Sequence, residues 1–143
     1  MDHGKVCELC AQDGGEVVYR DDALRVVLVN DDDYPGFCRV IWNEHSREMS
    51  DLAPAQRNRL MESVFAVESA VRKVMQPHKI NLASLGNVVP HLHWHVIPRY
   101  RDDRHFPNPI WGIAQRDASA RHTAPAADWR EQLRTLLVHT LPA

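Results

Sequence analysis

The chain has 143 residues, 44% hydrophobic, 25% charged and 7% aromatic, which describes one globular domain able to bury a core without disulfides or metals. Seventeen Lys and Arg against nineteen Asp and Glu leave a net charge of −2, so there is no basic footprint for duplex nucleic acid or an anionic membrane. No apolar run approaches the ~18 residues of a membrane span, Met1–Lys5 lack the apolar stretch of a signal peptide, and three cysteines fit a reduced, cytoplasmic compartment better than a disulfide framework.

In chain order, Glu16–Arg20 and Leu24–Val29 are β-rich runs around Asp21 and Asp22, the pattern of a hairpin. Asn30–Gly36 is dense in turn formers and reads as a loop. Phe37–Trp42 reads as a third strand, with Cys38 as a buried small hydrophobe. From about Pro54 to Gln76 an apolar stripe (Leu60, Met61, Val64, Val67, Val71, Val74, Met75) recurs mostly every three or four residues, which predicts a long helix. Pro54 suits its first turn and Pro77 stops it. Lys79–Leu85 and His91–Arg99 read as an antiparallel pair with a short connection. The chain then turns polar and Pro-rich: Arg99, Arg101, Arg104 and His105 are expected on a solvated face. Phe106–Trp111 is apolar and Pro-stiffened, expected near the surface against a subunit partner or a neighbouring active site. A C-terminal helix over about Asp128 to His139 carries Trp129, Leu133, Leu136 and Leu137. The whole predicts a single α+β domain over 1–143: a mainly antiparallel sheet, one long central helix and a C-terminal helix.

Histidine is the unusual residue: nine in the chain, three of them at 91, 93 and 95. Strand alternation puts His91, His93 and His95 on one face, with Leu92, Trp94 and Val96 turned to the core. Imidazoles bind metals or attack electrophilic phosphorus. At a rise of ~3.3 Å per residue, His91 and His95 stand ~13 Å apart, so one zinc, ~2 Å from each ligand, cannot hold all three on a regular strand. In covalent catalysis the middle histidine is the natural nucleophile, its neighbours orienting it and binding oxygens. The preceding Gly86 and Asn87 offer backbone N–H groups and an amide for phosphate oxygens.

The stretch Pro90-His91-Leu92-His93-Trp94-His95-Val96-Ile97-Pro98-Arg99, preceded by Asn81–Asn87, resembles the histidine triad (HIT) family. The likeness extends over about residues 7–111, with an early Cys-x-x-Cys, a hairpin, a Pro-Gly before a strand and a long helix. Residues 112–143 form a C-terminal extension with its helix. The resemblance implies a nucleotide hydrolase or nucleotidyl transferase that attacks an α-phosphate and passes through a nucleotidyl-histidine intermediate. By motif position, His93 is the nucleophile, His95 contacts the α-phosphate and leaving group, and His91 completes the triad. Asn81, Asn87 and the backbone of Val88 and Val89 fall where phosphates are bound, and Asn30 follows a strand that borders the nucleoside pocket. The resemblance also implies a homodimer and a purine nucleotide, with dinucleoside polyphosphates or phosphoramidates as substrates.

One departure stands out. Many family members carry a further histidine soon after the Pro-Gly; here Pro35-Gly36 is followed by Phe37-Cys38-Arg39. The leaving group then needs another proton donor, for which His95 is the expected group. The same departure keeps open a nucleotide- or zinc-binding module with little turnover. A metal-dependent enzyme using two triad histidines is a third reading, against which no carboxylate partner stands nearby. Cys7 and Cys10 alone offer two ligands where a closed zinc site needs four. The resemblance supplies His45 and His91 as the others, giving a structural zinc with no part in the chemistry; two free thiols are the alternative.

Overall fold

A computed structural model of the chain describes residues 7–117 and 126–142. The outermost parts of the expected 1–143 domain, and residues 118–125 of the C-terminal extension, lie outside the described residues. Five strands, β1 (Glu16–Arg20), β2 (Leu24–Leu28), β3 (Cys38–Trp42), β4 (Lys79–Ala83) and β5 (His93–Arg99), form one sheet in the order β1-β2-β3-β5-β4. Every neighbouring pair is antiparallel. The helices are α1 (Glu8–Ala11), α2 (Pro54–Met75) and α3 (Trp129–Thr140). None is long and apolar enough to cross a membrane, among the described residues. The α+β expectation holds, as do all five strands and both long helices within a few residues.

Local chemistry explains the boundaries. The β1–β2 turn forms because the Asp21 carboxylate accepts the N–H groups of Ala23 and Leu24 at 2.8 and 2.9 Å, closing an Asx-type turn. At the start of α2, Pro54 takes the first helical position and the Gln56 side chain accepts the Ala53 N–H at 2.8 Å. The helix ends where Gln76 turns left-handed ahead of Pro77.

Alternation gives the sheet two different faces. Leu24, Val26, Leu28, Cys38, Val40, Trp42 and Val96 pack on Leu60, Val64, Val67 and Val71 of α2 and on Leu133 and Leu137 of α3. Each fully buried Leu or Val contributes about 1.5–3 kcal/mol relative to exposure, so this layer carries the fold. Trp94 packs against the same cluster, as its place in the alternation predicts. Arg25, Val27, Arg39, Ile41, His93 and His95 take the alternate positions of β2, β3 and β5. On that side Leu9, Val27 and Ile41 form a small core under α1, and Tyr34, Phe37 and Ile97 form another at the far end of β5. A sheet face left open beside cores so small is free to hold a site.

Two expectations change. His91 is not on the triad strand: β5 begins at His93, because the Leu92 N–H goes to the Ser46 carbonyl at 2.8 Å, off the ladder, while the Leu92 carbonyl accepts from Trp42 at 3.1 Å. Arg99 is not on a solvated face. It ends β5 with 2% exposure and forks onto Asp103 at 2.8 and 3.1 Å.

Candidate active site

His93 and His95 leave β5 on the open face, their ring centroids 4.9 Å apart and nearly perpendicular. They line a cleft of about 590 Å³ with Gly14, Gly15, Arg39, Asn87 and Trp111, within the range of small-molecule sites. Val88 and Val89 line it too. Gly86, with φ +77°, gives the loop between β4 and β5 the left-handed turn that brings Asn87–Val89 over the triad. Asn81 is not among the lining residues: its Oδ1 accepts from Arg99 at 2.7 Å. Asn30, left-handed at φ 54°, is also not among them and accepts from Arg130 at 2.6 Å. Asn81, expected at the phosphates, and Asn30, expected beside the nucleoside, each accept a hydrogen bond from an arginine of this chain.

Hydrogen bonds fix the histidine tautomers. His93 Nδ1 lies 2.6 Å from the His91 carbonyl oxygen. A carbonyl can only accept, so Nδ1 carries a hydrogen, and in the neutral ring the lone pair is on Nε2. Ser84 Oγ anchors the same residue by donating to the His93 carbonyl at 2.9 Å. His95 is the opposite case. Arg39 Nε donates to His95 Nδ1 at 3.4 Å, which leaves the hydrogen on Nε2. Burial, then the neighbouring His93 and Arg39, push His95 down to about 3. It is therefore neutral in the ordinary pH range, a hydrogen-bond donor and not an acid. The expected role of His95 as proton donor to the leaving group would need the charged ring, which burial disfavours. Phe37, which stands where a further histidine was sought, presents its ring edge-on to His95 at 5.7 Å.

His91 serves a different cluster. Its Nε2 donates to the Trp42 carbonyl at 2.6 Å, leaving the Nδ1 lone pair free. That Nδ1 lies 3.3 Å from Cys7 Sγ, 3.5 Å from Cys10 Sγ and 3.3 Å from His45 Nδ1; Cys10 Sγ is 3.4 Å from His45 Nδ1. The four donor atoms all lie within 4.8 Å of one another. Ligands around a tetrahedral zinc, each about 2.0–2.3 Å from it, stand about 3.3–3.8 Å apart. Donor chemistry and spacing both fit that metal, and the Trp42 carbonyl is the outer partner a ligating histidine needs.

Several parts of the site were missed in the sequence. Arg25, 5% exposed, donates to the Leu9, Gln12 and Asp13 carbonyls at 2.6, 3.1 and 2.9 Å, and so carries the cysteine-bearing α1 on the sheet. Arg39, opposite His95 in the ladder, lines the cleft. Its signal was a charged residue at an alternate position of an apolar strand. Trp111 meets His95 of its own chain at 4.9 Å while staying half exposed, so the Pro-stiffened segment packs beside the triad.

A family model described as the HIT domain matches residues 11–102. A bis(5'-nucleosyl)-tetraphosphatase (asymmetrical) of Schizosaccharomyces pombe is 30% identical over 95 residues, 63% of this chain and 52% of that protein. An AP-4-A phosphorylase of Mycobacterium tuberculosis is 28% identical over 126 residues, 82% of this chain and 65% of that protein. The chain thus spans between about half and two thirds of the length of these relatives. Among solved structures, a histidine triad protein from Marinobacter aquaeolei VT8 is 27% identical with a TM-score of 0.74, covering 95% of this chain and 97% of that one.

Proposed function

The chain belongs to the HIT domain family, and we propose that it cleaves purine nucleotide conjugates at the α-phosphate through a nucleotidyl intermediate on His93. The observation that carries this reading is the His93 Nδ1–H bond to the His91 carbonyl, which leaves Nε2 of the neutral ring for attack in a cleft large enough for a nucleotide. His93 Nε2 attacks the α-phosphorus and the leaving group departs; water then cleaves the P–N bond and releases the nucleoside monophosphate. His95 Nε2–H and the N–H groups around Val88 and Val89 bind the non-bridging oxygens, where negative charge builds in the transition state. The relatives named as a tetraphosphatase and an AP-4-A phosphorylase support a phosphoanhydride substrate. Asn87 lines the cleft and is suited to hold a phosphate oxygen.

Cys7, Cys10, His45 and His91 would hold one zinc, which supplies structure and takes no part in the phosphoryl chemistry. The protein acts as a homodimer in the cytoplasm, with no duplex nucleic acid or membrane partner. Phe37 beside His95 favours a second reading, a nucleotide-binding module with little turnover.

Mass spectrometry of the protein incubated with dinucleoside tetraphosphates and nucleoside phosphoramidates tests the choice. The expected result is a nucleotidyl adduct on His93 and release of monophosphate, both abolished in His93→Ala, with a rate loss of several powers of ten. Near-parental hydrolysis by that variant would overturn the mechanism. Tight nucleotide binding without adduct or product would establish the binding module.

A further inference from the structure

The position two residues after Phe37 holds a strong cation of the triad face, next to His95. Arg39 is half-buried, pairs directly opposite His95 in the β3–β5 ladder, and lines the cleft with His93, Asn87 and Trp111. Its Nε donates to His95 Nδ1 at 3.4 Å and its Nη1 to the Gly14 carbonyl at 3.2 Å. Gly14 reaches this place at φ +85°, where a Cβ would meet Leu9 Cδ2 at 2.7 Å and Ile41 Cδ1 at 2.9 Å; the guanidinium is thus held by a backbone point that only glycine can form. The Nη2 group has no hydrogen-bond partner among the described residues, and no carboxylate there lies within ion-pair distance of Arg39. Glu8, on the rim of the cleft, attracts it from farther away. A guanidinium pinned on two sides, with a free edge in an open cleft, is built to receive an anion.

We propose that Arg39 binds the departing phosphate chain and makes the site select nucleotides whose α-phosphate is joined to further phosphate over those joined to an amine. The inference rests on the nucleotide-cleaving reading above and deepens it. As the His93 Nε2 lone pair forms the P–N bond, the P–O bond to the bridging oxygen breaks and its electron pair stays on the departing phosphate. That group leaves as an anion, needs no proton, and is stabilised by the fixed charge of Arg39. An alkylamine must collect a proton as it leaves. Here Phe37 stands beside His95 in place of an ionisable group, and a guanidinium does not give up a proton. The pairing of Phe37 with Arg39 therefore replaces proton donation by charge stabilisation.

The test compares kcat/KM for a dinucleoside tetraphosphate and a nucleoside alkylphosphoramidate in the parent, Arg39→Leu and Arg39→Gln. The glutamine keeps a hydrogen-bonding side chain beside His95 and Gly14 while removing the charge, and melting curves establish that each variant folds. The parent should prefer the anhydride. Each substitution should lower anhydride turnover on the order of 100-fold and amine turnover by a clearly smaller factor, the part that comes from loosening His95. Binding of a methylene-bridged nucleoside triphosphate against the monophosphate, measured by calorimetry, gives a readout independent of turnover. Loss of the charge should weaken only the triphosphate, about 10- to 100-fold. Equal losses on both substrates would mean that Arg39 merely orients His95, and unchanged rates and affinities would mean it has no part; either overturns the proposal. A parent that cleaves neither substrate, with a triphosphate affinity that still depends on Arg39, would overturn the hydrolase reading and leave the phosphate subsite standing.

Discussion

Neutral His95 has a consequence for stability as well as for chemistry. Its value of about 3 in the fold lies below the ~6.5 of an unfolded histidine. Between those two values the unfolded chain binds a proton that the native chain refuses, so native stability rises with pH across this window. The contribution is complete above pH ~6.5, falls as the pH drops toward about 3, and amounts to about 2 kcal/mol between pH 6.5 and 5. Urea unfolding at pH 7 and pH 5 should therefore show a smaller difference for His95→Asn than for the parent, at equal metal content. The same slope in both proteins would show that His95 is charged in the native state. At this scale the sequence was informative wherever alternation governs: His93, His95 and Trp94 could be assigned to faces from their order alone. Tautomers were not legible, because they are set by the His91 carbonyl and the Arg39 guanidinium, groups that strand pairing and a chain bend bring into place.

Strand β5 shows where element-level reading succeeds and stops. The apolar alternation from His93 to Ile97 was visible, and the antiparallel partners followed. The departure of His91 from the strand was not, because it depends on where Leu92 sends its hydrogen bonds. Beyond the strand, composition alone suggested a solvated, charged run, yet the chain folds back through a buried pair. Asp103 is fully buried and holds Arg99, while accepting from the Tyr100, His105 and Phe106 N–H groups at 3.0, 3.1 and 2.7 Å. Arg99 reaches onward to the Asn108 carbonyl at 2.7 Å. Burial alone would raise the Asp103 carboxyl, but the Arg99 and backbone hydrogen bonds outweigh it and hold it below the usual range. This knot carries the segment that sets Trp111 on His95. Asp103→Asn strips the counter-charge from a buried guanidinium and should cost about 3–5 kcal/mol, read as a lower urea midpoint at unchanged slope. A loss below about 1 kcal/mol would show that water reaches Arg99 and that the knot is not what holds the segment.

The molecule joins two structures of unequal strength. One sheet face is closed by α2 and α3 over a large apolar core; the other has two small clusters, Leu9 with Val27 and Ile41, and Tyr34 with Phe37 and Ile97. The chain before β1 is held by Arg25 and by convergence of Cys7 and Cys10 on His45 and His91. The ligand identities could be proposed by resemblance, but their meeting depends on the bend at Leu92 and the grip of Arg25, which no local pattern encodes. Zinc at this point would tie the N-terminal segment to the loops after β3 and before β5, and metal binding of this kind is folding free energy. Elemental analysis should find about one zinc per chain. Chelation should lower the Tm by about 10 °C, the size expected when a domain this large loses a few kcal/mol. Cys10→Ala should begin near the lower value and respond little to chelator. If the proposed His93 step draws on no metal, turnover measured well below the lowered Tm should survive chelation. An unchanged melting curve in metal-free protein would remove the structural zinc, while loss of turnover in still-folded protein would place the metal in the chemistry.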